Sequence, residues 1–365
     1  MSEPGVKVDA GQSGRTGSDR APAWRDSAFL KACRREQTEY TPVWLMRQAG
    51  RFAPEYRAVR SKVGFLELCK RPDLAAEVTV TAVETLGVDA AIIFADLLLP
   101  LEAMGVGLEY APGDGPLIHR PVRCGFDVER LPEVNVEESL AYVLEALSAT
   151  RKALDANIPL IGFAGAPFTL ASYLIEGGAS RHYENTKALM YKDPAGWHKL
   201  MDRLAVITAR YLNAQAASGA QAVQLFDSWV GCLSEEDYRE FVLPHSKKTI
   251  SELSDGIPVI HFGTGTPHLL ELMREAGGDV IGLDWRISLD RGWDKVGHDV
   301  AVQGNLDPVV LLSDPKEIRR RVARILEQAA GRPGHIFNLG HGILPSTPYD
   351  NVKLLVEAVH EFGRR

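Results

Sequence analysis

The chain has 365 residues, enough for one large domain or two ordinary ones, because α/β barrels often exceed the usual domain size. Hydrophobic residues make up 45% and charged residues 24%, values typical of a globular enzyme with a sizeable core. The net charge of −7 argues against nonspecific nucleic-acid binding, and no apolar run approaches the ~18 residues that a membrane-spanning helix needs.

The four cysteines are widely scattered and show no C-x-x-C spacing. This pattern favours reduced thiols over a disulfide framework or a structural zinc site. The N-terminus has no apolar segment after its first charges, so it does not resemble a secretory signal. We therefore expect a cytoplasmic protein without a structural metal.

Residues 1 to about 22 are rich in glycine, serine and arginine and have almost no large apolar side chains. This composition predicts a disordered tail over 1–22, followed by one domain over 23–365. The first helix is expected to begin at Asp26 or Ser27, both good N-cap residue types.

Beyond that helix, short apolar runs alternate with helical stretches. The runs cover residues 43–46, 90–94, 159–163, 222–226, 258–262, 280–283, 300–302 and 336–339. Most are nearly continuous in apolar residues, as is typical of parallel strands covered on both faces. Amphipathic spacing predicts helices over 73–86, 136–154 and 197–217, and residues 112–116 predict a turn or a small β excursion.

Eight β-then-α units favour a closed (β/α)₈ TIM barrel, which needs ~250 residues and leaves room for added loops. A doubly wound open sheet is the alternative. It would be expected to carry a glycine-rich phosphate-binding turn after its first strand, and none follows the early strands here.

The exit of the first predicted strand is unusually basic. Four arginines lie between residues 47 and 60, with Glu55 as the single acid: Arg47, Arg51, Arg57 and Arg60. Arginine binds carboxylates in a forked geometry, and the small pair Ala49 and Gly50 lets a backbone approach a ligand. The stretch predicts a pocket for a small polyanion, or alternatively arginines that only bridge elements or lie along the surface.

Other strand exits also carry polar side chains, and chemistry in a parallel barrel gathers at these exits. Asp96 follows the second run, and burial would force it to find hydrogen-bond donors or a cation. It is either paired with a neighbouring arginine or free to accept N–H bonds from a ligand. His341 lies on a flexible backbone between two glycines and is either a structural histidine or an active-site residue. Tyr173 is a site residue or a packed aromatic, and Ser228 is a site residue or a helix cap.

Together these segments resemble the uroporphyrinogen decarboxylase family, from about Phe29 to the C-terminus. The resemblance rests on four stretches, at 42–51, 162–170, 303–308 and 337–342. The first of these, PVWLMRQAGR, is the most specific to the family.

The resemblance implies a homodimeric (β/α)₈ barrel that removes the four acetate carboxyl groups of uroporphyrinogen III to give coproporphyrinogen III, without a cofactor, on the route to haem. By motif position it implies Asp96, Arg47, His341 and Tyr173 as catalytic residues. It implies a tetrapyrrole-binding site formed by Arg47, Gln48, Ala49, Gly50, Arg51, Asp96, Tyr173, Ser228 and His341.

Two other functions compete with this one. A related barrel methyltransferase uses zinc and a corrinoid, and such enzymes carry His-x-Cys at the fifth strand exit. Here that exit reads His261-Phe262-Gly263, so the thiolate ligand is missing. A non-catalytic tetrapyrrole carrier would need the basic grips but no acid beneath the ring.

Overall fold

The structure is a computed structural model that describes residues 22–111 and 115–365. The tail predicted over 1–22 therefore lies outside the described residues, apart from Pro22. The described residues contain a seven-stranded parallel sheet, a two-stranded hairpin and a surrounding layer of helices. None of the helices in these ranges is long and apolar enough to cross a membrane.

The strands of the main sheet lie in the order β1-β4-β5-β6-β7-β8-β9, and each pairs in parallel with the next. They are β1 (Ala91–Ile92), β4 (Leu160–Gly165), β5 (Ala222–Asp227), β6 (Val259–Gly263), β7 (Val280–Gly282), β8 (Ala301–Gln303) and β9 (His335–Ile336). The hairpin consists of β2 (Leu108–Ala111) and β3 (Gly115–Ile118), which pair antiparallel. It confirms the β excursion predicted near residues 112–116, of which 112–114 lie outside the described residues.

Helices precede, separate and follow the strands. They are α1 (Ala28–Cys33), α2 (Pro54–Arg60), α3 (Phe65–Cys69), α4 (Pro72–Leu86), α5 (Leu99–Ala103), α6 (Gly125–Arg130), α7 (Val136–Ser139), α8 (Ala141–Ala153), α9 (Pro167–Glu176), α10 (Glu184–Lys192), α11 (Pro194–Ala217), α12 (Glu235–Phe241), α13 (Leu243–Ser251), α14 (Leu270–Ala276), α15 (Leu289–Val296), α16 (Pro315–Ala329) and α17 (Tyr349–Phe362). Three short 3₁₀ helices cover Ala23–Asp26, Val230–Cys232 and Pro308–Leu312.

The first predicted strand differs from the expectation. Residues 43–46 form no ladder; Val43 makes a single parallel bridge to Phe337, and its carbonyl accepts the Asp89 N–H at 2.8 Å on the other side. The Asp89 carboxylate also accepts the Val43 N–H at 2.7 Å, so a side chain replaces one rung of the ladder. The barrel fold is confirmed, but strand pairing does not close the ring completely.

A buried chain of polar side chains crosses the barrel interior below this segment. The Trp44 indole donates to Gln303 Oε1 at 2.9 Å, and the Gln303 amide donates to Gln224 Oε1 at 3.1 Å. All three side chains are buried, so these bonds satisfy groups that would otherwise be costly in the core. They fix the first segment against β5 and β8 and set where its polar exit begins.

Candidate active site

The arginine loop follows residues 43–46 in a tight turn. Arg47 adopts a left-handed backbone conformation with φ 67°, and a Cβ on Gly50 would lie 2.5 Å from the Arg47 carbonyl oxygen. Gln48 is buried; its Oε1 accepts the Leu45 N–H at 3.1 Å and its amide donates to the Ala90 carbonyl at 3.1 Å. These two bonds hold the loop in place, and the contribution of Gln48 to substrate binding stays a prediction.

The four arginines of this region fall into two pairs. The Arg57 guanidinium donates to the carbonyls of Arg51 and Phe52, at 3.1 and 2.7 Å, and the Arg60 guanidinium donates to the Val63 carbonyl. The guanidiniums of Arg47 and Arg51 have no acceptor among the described residues. Arg57 and Arg60 therefore only bridge elements of the fold, whereas Arg47 and Arg51 are available to bind an anion.

The Arg47 side chain is exposed at the cleft, and its stem packs against the Gly342 backbone. Loss of hydration lowers its pKa, and the nearby Arg51 charge lowers it further, while Tyr173 and Asp96 raise it. Arg47 therefore lies within electrostatic range of three other candidate residues.

Asp96 is half-buried at the exit of β1, and its two oxygens differ. Oδ1 accepts the Leu98 N–H at 2.8 Å and the Tyr110 hydroxyl at 2.5 Å. Oδ2 has no partner among the described residues, and no ion pair joins the carboxylate to an arginine within them. Burial raises the Asp96 pKa, whereas the Tyr110 and Leu98 hydrogen bonds and the Arg47 charge lower it.

Tyr173 and Ser228 belong to neighbouring strand exits. Tyr173 lies on α9, after β4, and its half-buried ring packs edge-on against Trp229 with the centroids 5.7 Å apart. Burial raises the Tyr173 pKa, so the phenol stays protonated at neutral pH. Ser228 follows β5 directly and caps no helix, since the short helix after it begins at Val230 with Trp229 as its N-cap.

His341 is held more rigidly than its flanking glycines suggest. Gly340 and Gly342 are both buried, and the His341 Nδ1 accepts the Gly342 N–H at 2.6 Å. Burial and the charges of Arg47 and Arg286 lower its pKa to about 4. The imidazole is therefore neutral near pH 7, with its remaining proton on Nε2.

Two residues that sequence reasoning did not select also contribute to this site. Tyr110 comes from the β2–β3 hairpin and bonds Asp96 directly, and no spacing signal in the sequence links the two. Arg286 donates to the buried Asp284 carboxylate at 2.7 Å and stacks over Trp285 at 4.0 Å, close enough to influence His341. The sequence did contain a signal for Arg286, because Asp284, Trp285 and Arg286 directly follow the apolar run predicted as a strand over 280–283.

A cavity of about 310 Å³ lies behind the arginine loop, between α2 and α4. Its lining includes Gln48, Ala49, Tyr56 and Val78, but not Arg47 or Asp96. Gln48 and Ala49, two of the predicted site residues, therefore line this cavity, whereas Arg47 and Asp96 lie outside it, at the strand-exit cleft.

The residues that would correspond to a zinc-binding His-x-Cys point away from that cleft. His261 is fully buried beside the backbone of Met273 and Gly277, and a Cβ on Gly263 would meet the Met273 side chain of α14. Both positions therefore face the helix layer. Over the described residues, no group of three or more histidine, cysteine or acidic side chains is arranged to hold a metal ion.

Comparisons with known proteins agree with this geometry. The family model for uroporphyrinogen decarboxylase (URO-D) matches residues 25–362. The chain is 58% identical over 339 residues to a uroporphyrinogen decarboxylase of Carboxydothermus hydrogenoformans, covering 93% of this chain and 97% of that one. It is 57% identical to that of Sorangium cellulosum, covering 92% and 96%.

Among solved structures, a methyltransferase from Methanosarcina mazei superposes with a TM-score of 0.78. The identity is only 22%, over 92% of this chain and 98% of that one, so this likeness shows the fold alone. The methyltransferase alternative is not favoured, because the match to the decarboxylases is far higher in identity and covers almost the same residues. By family model, sequence identity and the motifs at its strand exits, the chain belongs to the uroporphyrinogen decarboxylase family.

Proposed function

We propose that this protein is a uroporphyrinogen decarboxylase, which removes the four acetate carboxyl groups of uroporphyrinogen III to give coproporphyrinogen III in haem biosynthesis. The main support for the proposed site is the Asp96 carboxylate, which has one oxygen fixed by the protein and the other without a partner among the described residues. Arg47 lies close enough to influence the Asp96 pKa, and Arg51 lies close to Arg47. Neither guanidinium has an acceptor among the described residues.

The substrate has four pyrrole N–H groups and eight carboxylates, and the site offers groups complementary to both. Asp96 Oδ2 accepts pyrrole N–H bonds, and Arg47 and Arg51 bind acetate and propionate groups through forked hydrogen bonds. The neutral His341 and the protonated Tyr173 donate to further carboxylate oxygens, as does the Ser228 hydroxyl. Gln48, Ala49 and Gly50 shape the loop that presents the arginines.

Decarboxylation of an acetate arm needs somewhere for the electrons of the broken bond to go. Protonation of the pyrrole on carbon makes the ring cationic, and the C–C bond then breaks with release of carbon dioxide. The electron pair of the broken bond forms an exocyclic double bond between the arm carbon, now a methylene, and the ring, which neutralises the charge of the ring. A proton on that methylene and loss of the ring proton complete the methyl group, so each arm consumes one proton and releases one carbon dioxide.

The cationic ring is the species that the site stabilises. A carboxylate held beneath it in a partly desolvated cleft acts electrostatically without reorganising, which lowers the barrier with no cofactor. Because the pKa of His341 is low, its imidazole is a neutral hydrogen-bond donor near pH 7. It is therefore not the general acid that protonates the pyrrole carbon.

The direct test is anaerobic incubation with uroporphyrinogen III, followed by mass analysis of the products. We expect four successive losses of carbon dioxide. Binding of the tetrapyrrole without any loss would instead favour the carrier function, and stoichiometric zinc with methyl transfer to a thiol would favour the methyltransferase.

The role of Asp96 is tested by Asp96→Asn, which keeps the shape of the side chain and removes its charge. We expect kcat/KM to fall at least about a hundredfold, the size of effect that removal of one preorganised electrostatic group typically produces. Asp255→Asn is the matched control, because Asp255 is exposed. Turnover of Asp96→Asn close to wild type would show that the charge does not support the reaction.

We further propose that the protein acts as a homodimer in the cytoplasm, as membership of the family implies. Sedimentation velocity would then give about twice the chain mass of 40.0 kDa.

A further inference from the structure

The Asp96 carboxylate receives its shortest hydrogen bond from a residue outside the barrel strands. Tyr110 lies on β2, in the hairpin that follows α5, and its hydroxyl donates to Asp96 Oδ1 at 2.5 Å. The Leu98 N–H donates to the same oxygen at 2.8 Å. Two donors on Oδ1 therefore set the rotation of the carboxyl group and leave Oδ2 as the oxygen without a described partner.

The Tyr110 ring is itself held in place. It packs against Phe65 of α3 with the ring centroids 4.8 Å apart, and Phe65 in turn packs against Phe94 at 6.1 Å, two residues before Asp96. The hydroxyl is thus delivered by an aromatic cluster that joins the hairpin to the exit of β1. Such a fixed donor costs little ordering free energy during the reaction.

We propose that Tyr110 is a positioning residue for the reaction: its hydroxyl locks Asp96 Oδ1 and thereby orients Oδ2 toward the pyrrole N–H groups and keeps the carboxylate ionised. This inference rests on the proposed role of Asp96. No residue of the hairpin is among those that the family resemblance implies for the site.

The charged and titratable groups around Asp96 make its ionisation sensitive to this one bond. Arg47 from the arginine loop favours the ionised form, and Glu102 from α5 opposes it. The remaining groups that influence Asp96, or are influenced by it, are uncharged at neutral pH, because burial raises their pKa values; they are Cys69, Tyr142, Tyr173 and Tyr211. A phenol that donates to the carboxylate offsets part of the desolvation that burial imposes.

The experiment is the pH dependence of kcat/KM for Tyr110→Phe. Loss of the hydroxyl removes a bond to a charged acceptor, so the Asp96 pKa rises and activity is lost at a higher pH as the solution is acidified. We expect the acid limb of the profile, the pH range in which kcat/KM declines on acidification, to move up by about one pH unit. At neutral pH, kcat/KM should fall about tenfold. Tyr191→Phe is the matched control, since Tyr191 also donates to a carboxylate, Asp237 at 2.9 Å, but on the exposed surface.

A second variant moves the same limb in the opposite direction. Site-specific 3,5-difluorotyrosine at position 110 keeps the ring and the hydroxyl but makes the phenol a stronger donor, so the acid limb should move to lower pH. Unchanged acid limbs in both variants, with normal thermal unfolding, would overturn the positioning role.

The outcome for Asp96→Asn separates the two hypotheses. If Asp96→Asn is inactive and neither Tyr110 variant shifts the limb, the inference about Tyr110 fails alone. If Asp96→Asn remains active, the proposed role of the carboxylate fails, whatever Tyr110 does.

Discussion

The position of Arg47 depends on a glycine almost 300 residues later in the chain. A Cβ on Gly342 would lie 2.7 Å from Arg47 Cγ and 2.8 Å from Nε, so the arginine side chain passes directly over the Gly342 backbone. The same backbone N–H donates to His341 Nδ1. One residue therefore fixes the approach of a guanidinium and the tautomer of an imidazole.

We expect Gly342→Ala to displace the Arg47 guanidinium, because the new Cβ would clash with the side chain from Cγ through Cδ to Nε, directly before the guanidinium carbon. The predicted result is a loss of about tenfold or more in kcat/KM, since catalysis is sensitive to displacements of about 1 Å. Steady-state kinetics together with a thermal unfolding curve would measure both the activity and the fold.

Gly64→Ala is the control for this substitution. Gly64 has an ordinary φ of −66°, and a Cβ there would meet only Glu67 Cβ at 3.9 Å. Equal activity losses in Gly342→Ala and Gly64→Ala would argue against the contact with Arg47 as the cause.

Residues at the strand exits could be predicted from the sequence, and residues that reach the site from elsewhere could not. Arg47 and Asp96 follow apolar runs directly, so their place in a barrel is known once the runs are recognised. Tyr110 lies in an inserted hairpin, and only the folded geometry brings its hydroxyl to Asp96. The four arginines could not be distinguished in the sequence, but in the structure Arg57 and Arg60 donate hydrogen bonds to backbone carbonyls.

At the scale of elements, one hydroxyl joins α9 to the turn after β5. Thr169 Oγ1 donates to the buried Asp227 carboxylate at 2.9 Å and accepts the Trp229 N–H at 3.3 Å. Thr169 lies one turn before Tyr173, and Ser228 lies between Asp227 and Trp229 in the chain. This link therefore sets the relative positions of two candidate site residues.

We expect Thr169→Val, which keeps the shape and removes the hydroxyl, to lower the free energy of unfolding by about 1–3 kcal/mol, because it leaves the Asp227 carboxylate and the Trp229 N–H without this partner. The activity should fall as well, since the hydrogen bonds that fix Tyr173 and Ser228 relative to each other are lost. Urea denaturation and kinetics on the same sample would measure the two effects.

Thr150→Val provides the comparison on α8. Thr150 is equally buried, but its hydroxyl has no hydrogen-bond partner in the part of the chain that the structure describes. Its replacement by valine should be neutral or stabilising, since it removes an unsatisfied polar group. A cost for Thr150→Val as large as that for Thr169→Val would contradict the proposed link.

Most elements were predictable because apolar runs and amphipathic spacing reflect burial, which local sequence records. The helix predicted over 73–86 is α4, and that over 197–217 lies within α11. The helix predicted over 136–154 is instead divided into α7 and α8 at Leu140, whose backbone leaves the helical region at φ −117°. The segment 43–46 is apolar like a strand, but the Asp89 side chain accepts a backbone hydrogen bond that a neighbouring strand would otherwise accept. Hydrophobic periodicity cannot predict such a replacement of backbone by side chain.

For the molecule as a whole, buried histidines link stability to pH. His261 and His335 are fully buried, and burial lowers the pKa of each to about 4, against an ordinary value of 6.5. His335 Nε2 bonds the Gly304 carbonyl at 3.0 Å, which fits a neutral ring. Both rings are therefore neutral in the folded chain at pH values where the unfolded chain would bind a proton.

The sign of the effect follows from proton binding. Between pH 6.5 and 4 the unfolded chain holds more protons on these histidines than the folded chain, so the free energy of unfolding falls as the pH falls through this window. Each histidine with these pKa values contributes a loss of about 2 kcal/mol between pH 8 and pH 5. Above about pH 7 the contribution is fully retained.

His261→Leu should reduce this acid sensitivity, because burial lowers the pKa of His261 in the folded chain and leucine cannot bind a proton in either state. We expect the difference in unfolding free energy between pH 7 and pH 5, measured by urea denaturation, to be smaller by about 1–2 kcal/mol in the variant. His298→Leu is the surface control, since His298 is exposed and lies beside the Asp294 carboxylate and the edge of the Trp293 ring. An undiminished pH dependence in His261→Leu would mean that other groups, such as the buried acids, determine the acid response of the barrel.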